Sequence, residues 1–134
     1  MVGRWMTGCA RDGFDAVELD NLDSFARSRG LVKQRHAKAF ARLLVRRAHR
    51  AGLAVAQKNW AELDGSRLGF DFAIAEECGR YDECGRYVAS YGGRVLVVEY
   101  RRADFRRACR THGDRVAVVL RDRALTPDGV RRWC

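Results

Sequence analysis

The sequence predicts an α/β chain that forms part of a (β/α)8 TIM barrel, about five βα units from its C-terminal side. Five short apolar runs alternate with helical segments, as a parallel sheet with right-handed crossovers requires. Every run ends in charged residues, and charge gathered at the carboxyl ends of parallel strands is how such a barrel builds an active site. The turn after the first run reads LDNLDSF, without the glycines of a dinucleotide-binding fold.

The elements follow in order. A weak helical segment over Arg4–Arg11 closes at Gly13 and leads into a strand over Phe14–Leu19. Over Lys33–Ala51, Ala37, Phe40, Ala41, Leu44 and Ala48 recur at helical spacing with arginines opposite, which predicts an amphipathic helix. Gly52 stands where such a helix stops. Strands are expected over Leu53–Gln57, Phe70–Ala75, Val95–Val98 and Val116–Leu120, with helices over Glu83–Tyr91 and Ala103–Thr111 between the later ones. Strand alternation puts Ala16, Glu18 and Asp20 on one face, with Phe72, Ile74 and Glu76, and then Val95, Val97 and Glu99, as the matching sets. A complete barrel has eight such units in typically about 250 residues, so residues 1–134 are expected to be one partial barrel domain lacking three N-terminal units.

Composition excludes several classes. With 134 residues, 47% hydrophobic and a single proline, the chain can bury a core and is no disordered tail. No stretch approaches the roughly 20 apolar residues of a membrane span, so no membrane partner is expected. The first residues, MVGRWMTGCARDG, lack the ~7–15-residue apolar region of a signal peptide. A net charge of +9 and a pI near 10.0 raise nucleic acid as a partner. However, arginines are scattered from Arg4 to Arg132 and the only lysines are Lys33, Lys38 and Lys58, so no nucleic-acid partner is expected. The arginine face of Lys33–Arg50 is the surface such a partner would use.

The strand-end motifs are Glu18-Leu19-Asp20-Asn21-Leu22-Asp23, Lys58-Asn59, Glu76-Glu77-Cys78 followed by Tyr81-Asp82-Glu83-Cys84, and Val98-Glu99-Tyr100. In this order they resemble the endo-alpha-1,4-polygalactosaminidases, glycoside hydrolase family 114, with their GVEPDNVD-like, KN, NEQC-like, YDEC and VEY-like motifs. The resemblance spans nearly the whole chain. It implies a TIM-barrel hydrolase of α-1,4-linked galactosamine polymers, extracellular and needing no cofactor, with Asp20 and Glu76 as catalytic carboxylates. Glu18, Asn21, Lys58, Asn59, Glu99 and Tyr100 are the substrate-binding residues expected with them. Glu18 and Glu99 stand open between touching sugar or supporting the residues that do, on one side, and structural ion pairs on the other, and Lys58 can pair with either. Leu19 replaces a family proline, and Ala75 replaces an asparagine beside Glu76.

The chemistry of the residues agrees with that role. Glycoside hydrolysis needs one protonated and one ionised carboxyl group. On strands two places apart, Asp20 and Glu76 start with backbones about 10 Å apart. Inward side chains can then reach about 5–5.5 Å for a retaining site or about 6.5–9.5 Å for an inverting one. The resemblance leans towards retention.

His36, His49 and His112 lie away from the strand ends and read as surface residues. Cys78 and Cys84 lack zinc-ligand spacing, so no metal is expected. The family often has a cysteine pair at Cys78 and Cys84, and its setting permits disulfides. Cys109 and Cys134 are the expected second pair, which leaves Cys9 over. Two further readings compete with the hydrolase: a catalytically silent carbohydrate-binding half-barrel and a basic nucleic-acid module. Polygalactosamine is cationic and the domain carries +9. The hydrolase reading therefore relies on Glu18, Asp20, Asp23, Glu76, Glu77, Asp82 and Glu99 making the strand-end side acidic. Open strand edges also predict self-association.

Overall fold

Parallel strands need a crossover between them, and in this chain helices supply it. The computed structural model describes residues 1–134 and divides them into two compact units, Met1–Phe72 and Ala73–Cys134. No helix is long and apolar enough to cross a membrane.

The first unit contains helix α1 (Val2–Arg11), strand β1 (Ala16–Leu19), helix α2 (Gln34–Arg50) and strand β2 (Ala54–Lys58). β1 and β2 pair in parallel, Glu18 opposite Ala56 and Leu19 opposite Gln57. α2 buries Ala41, Leu44, Val45 and Ala48, the i, i+3, i+4, i+7 stripe of a core-facing helix. Phe40, expected on that stripe, is 55% exposed. The buried stripe runs through Val45 instead, and Phe40 turns into a groove with Val32 and Leu22. Gly52 follows the helix at φ +82°, a left-handed conformation that glycine adopts without strain.

Asp71 ties α2 to β2. Its Oδ2 accepts the Val55 N–H at 2.7 Å and lies 2.8 Å from His49 Nε2, while its own N–H donates to the Val55 carbonyl. His49 is therefore a structural partner as well as a surface residue. Gln57, wholly buried, donates to the carbonyls of Asn59, Trp60 and Leu63 at 2.8–3.2 Å. That side chain satisfies three carbonyls of an irregular loop, as a buried loop requires.

β3 (Phe72–Glu76) leads into the second unit, with α3 (Cys78–Tyr81), α4 (Cys84–Tyr91), β4 (Val95–Glu99), α5 (Arg102–His112), β5 (Ala117–Arg121) and β6 (Arg131–Trp133). β3, β4 and β5 pair in parallel, and β6 runs antiparallel to β5. The helix expected from Glu83 is preceded by a separate turn, α3, because Asp82 takes φ 57° and ends it. A disulfide joins Cys78 to Cys84, with Cα atoms 4.8 Å apart. A second joins Cys109 to Cys134, tying α5 to the end of the chain. Cys9 is free.

Two differences from the sequence reading have plain causes. β2 to β5 each run one residue further than their apolar runs, to Lys58, Glu76, Glu99 and Arg121, because backbone pairing continues through the first charged residue. β6 is unannounced: its three residues are all exposed, so they carry no hydrophobic alternation to read.

Candidate active site

Each strand bearing a candidate residue is followed by an abrupt backbone turn. Asn21 (φ 56°), Asn59 (φ 54°) and Glu77 (φ 56°) are all left-handed and all lie within two residues of a strand end. Non-glycine residues in this region are strained, and such strain gathers at functional sites. The turns lift the chain off the sheet and leave the last strand side chains at its rim.

In the first unit the rim carries Glu18, Asp20, Asn21, Lys58 and Asn59. Glu18 and Ala56 face each other across the pair, and Lys58, two residues past Ala56, shares their face. The Lys58 ammonium lies 3.5 Å from Glu18 Oε1 and 3.6 Å from Asp20 Oδ1. Only 11% of its side chain is exposed, against 33% for Glu18 and 57% for Asp20. One sheltered cation therefore serves two carboxylates that reach solvent.

Asn21 fixes the remaining oxygen of Asp20, its Nδ2 donating to Oδ2 at 3.1 Å. Arg27 in turn holds Asn21 Oδ1 at 3.1 Å and forms an ion pair with Asp23, so Asp23 orders the loop. Asn59 offers its carbonyl to Gln57. Beside it Trp60 packs on Phe25, with ring centroids 4.8 Å apart. A groove of about 620 Å³ runs along this rim, lined by Glu18, Asp20, Asn21, His36 and the apolar residues Leu22 and Phe40.

In the second unit the rim carries Glu76. The register sets Glu76 opposite Val98 and Ala75 opposite Val97, so Glu76 shares the face of Ile74, Leu96 and Val98. The Tyr100 hydroxyl donates a short hydrogen bond to Glu76 Oε1. Burial first, and then this bond, hold the Tyr100 phenol well above its ordinary range, so it remains a proton donor at any physiological pH. The Arg123 guanidinium lies 5.0 Å over the Tyr100 ring.

Glu77 is held by two arginines, Arg123 at 2.8 Å and Arg80 at 2.9 Å. Burial raises its pKa, but the two hydrogen bonds outweigh that and leave it below the usual carboxylate range. Arg123 and Arg80 are not among the residues the sequence singles out, and Glu77 is there only as one of the strand-end acids. Their signal there was only a position one to four residues past a strand end, which many surface residues share.

Glu99 corrects the sequence reading. Of the roles open to it, a substrate contact at the rim does not hold, because Glu99 is fully buried. The cause is alternation: Glu99 pairs with Leu120 and shares the face of Val95 and Val97, opposite to that of Glu76. That face is covered by helices, and Glu99 Oε1 accepts the Gly79 N–H at 2.6 Å. With Glu99 withdrawn and Glu77 neutralised by arginines, the acidic rim is smaller than the count of strand-end acids implies. Oxygen and sulfur atoms of Glu99, Cys78 and Cys84 lie within 4.8 Å of one another, but the disulfide withdraws both sulfurs as metal ligands.

A family model described as glycoside-hydrolase family GH114 matches residues 1–134. A comparison with curated proteins returned no match. The fold is similar to the crystal structure of Aspergillus fumigatus Ega3 in complex with galactosamine, at 20% identity and a TM-score of 0.84. That match covers 99% of this chain and 59% of Ega3. It identifies the alternating helices and mostly parallel strands as an incomplete TIM barrel. The match of the family model along the whole chain places this protein in glycoside-hydrolase family GH114.

Proposed function

We propose that this chain carries the catalytic carboxylates of a glycoside hydrolase that cleaves α-1,4-linked galactosamine polymers, with Asp20 and Glu76 in the acid–base roles. Family membership supports a glycosidase, and the galactosamine bound by Ega3 supports an amino-sugar substrate. The observation that carries the assignment is that each acid stands at or just past a strand end with a polar partner holding it: Asp20 beside the Lys58 ammonium, and Glu76 accepting a hydrogen bond from the Tyr100 hydroxyl.

The two acids divide the labour that hydrolysis needs. Asp20, 3.6 Å from the Lys58 ammonium, is assigned to stabilise the positive charge that develops at the anomeric carbon. It does so either by bonding to that carbon or by taking a proton from the attacking water. Glu76 is assigned as the acid, whose proton passes to the glycosidic oxygen as the bond to the anomeric carbon breaks. Glu18 and Asp20 offer negative charge to the ammonium groups of the polymer, and Asn21, Lys58 and Asn59 border the same rim. The two disulfides suit an extracellular setting.

The test is cleavage of a galactosamine polymer, followed by release of reducing ends. Asp20→Asn and Glu76→Gln keep side-chain shape and remove the acid, so each is expected to lower turnover by roughly 10²–10⁴-fold with an unchanged thermal transition. Near-normal turnover in Glu76→Gln would overturn the assignment. A wild-type chain that binds the polymer without cutting it would favour the silent carbohydrate-binding reading.

A further inference from the structure

Glu99 is wholly buried and belongs to neither rim. It lies between two residues that hold the β3–α3 turn. The preceding Val98 carbonyl accepts the Glu77 N–H at 2.8 Å, and the following Tyr100 hydroxyl reaches Glu76. Glu99 adds a third hold through the Gly79 N–H at 2.6 Å.

The fit around that bond is close. A Cβ on residue 79 would stand 2.9 Å from Glu99 Oε1, 3.0 Å from the Asp104 carbonyl and 3.1 Å from Ala108 Cβ. Only glycine lets the turn descend onto the carboxyl group. The other oxygen, Glu99 Oε2, is buried and forms no hydrogen bond, and neither does Asp104 Oδ2.

The charged groups facing Glu99 are Asp104 and Arg107 from α5 and Glu77 from the turn, with the neutral Cys78–Cys84 disulfide beside it. Arg107 is engaged by Asp104 at 3.1 Å, and Arg80 by Glu77. An ionised Glu99 would thus be a buried anion beside two others, with a single backbone N–H for support.

We propose that Glu99 is a positioning residue: it clamps the β3–α3 turn that carries Glu76 and Glu77, and when it must ionise, the cost of a buried charge beside Asp104 and Glu77 outweighs the hold on Gly79 and favours opening of the turn. The catalytic consequence rests on the hydrolase reading above, whereas the clamp does not. Burial first, and then Asp104 and Glu77, push the Glu99 pKa up to about 7 against the pull of Gly79 and Arg107. The folded chain therefore keeps a proton that the unfolded chain, with an ordinary value of 4.5, has released. Stability from this group falls as pH rises from there to about 7 and is level above.

Amide hydrogen exchange at Glu77–Arg80 between pH 5 and pH 9, corrected for intrinsic rates, tests the clamp. Protection in the wild type should fall at least tenfold between pH 5 and about pH 7 and level off above. Glu99→Gln keeps an acceptor for Gly79 and has no proton to lose, so it should show no such step. A wild type without the step, or a Glu99→Gln variant that keeps it, overturns the proposal. The pH profile of kcat on galactosamine polymer tests the positioning role. Its alkaline fall should move up by at least one pH unit in Glu99→Gln with little change in KM, and superimposable profiles would leave Glu99 a structural group only. A wild type inactive at every pH would count against the hydrolase reading, while the exchange step would still decide the clamp.

Discussion

The hydroxyl of Tyr100, one residue past β4, donates a hydrogen bond to Glu76 at the end of β3. Two neighbouring strands thereby assemble one acid from a carboxyl group and its hydrogen-bond donor. Tyr100→Phe removes only the hydroxyl. A hydrogen bond is worth about 0.5–1.5 kcal/mol, so turnover should fall roughly 2–10-fold with little effect on the melting temperature. Steady-state kinetics of the variant check this, and a drop confined to KM would count against the donor role.

Lys58 lies between Glu18 and Asp20 with little exposure of its own. Lys58→Met keeps most of the stem and deletes the charge, leaving two carboxylates facing each other. Because both acids reach solvent, the stability loss should stay near 1 kcal/mol, whereas turnover should fall at least tenfold. Denaturant titration and kinetics on the same preparation separate the two effects.

Acid should weaken the second unit through Glu77. Its pKa is depressed in the fold, so its stabilisation is present above the ordinary value of 4.5 and is lost as pH falls through the folded one. Arg123→Gln removes one of the two hydrogen bonds that depress it, so the acid-unfolding midpoint should shift to higher pH. The direction is opposite to that expected of Glu99, and pH-dependent melts of the two variants distinguish them.

The disulfides close loops of different size, with sequence separations of 6 for Cys78–Cys84 and 25 for Cys109–Cys134. In the loop-entropy account these correspond to about 2 and about 3–4 kcal/mol. Replacing Cys109 and Cys134 by serine should therefore lower the denaturation midpoint more than replacing Cys78 and Cys84. The second pair of changes should act on the β3–α3 turn and reduce turnover more than stability.

β1 is an edge strand, and the first unit exposes Trp5, Phe14, Leu31 and Phe40. An unpaired edge beside apolar side chains favours association with a second copy. Sedimentation velocity should show a concentration-dependent dimer or larger species, diminished by Phe40→Arg. A monomer at high concentration in the wild type would remove the idea.

Periodicity in the sequence was enough for the α/β alternation, the helix over α2 and the charged strand ends. Burial of an apolar stripe and pairing of apolar runs are local properties of residue spacing. Motif order was enough to suggest the family, because Glu18–Asp23, Lys58-Asn59, Glu76–Cys84 and Val98–Tyr100 keep their succession. Which acids share a face was decided only by tertiary structure. Glu76 and Glu99 both end apolar runs, yet register and strand alternation turn Glu76 towards the rim and Glu99 beneath α3 and α5. Arg123, Gln57 and Gly79 also became legible only in three dimensions. Each acts on groups brought close by the fold: Arg123 on Glu77 and Tyr100, Gln57 on the loop after β2, Gly79 on Glu99. Spacing along a chain records which face of an element is apolar, but not which side chain from another element will meet it.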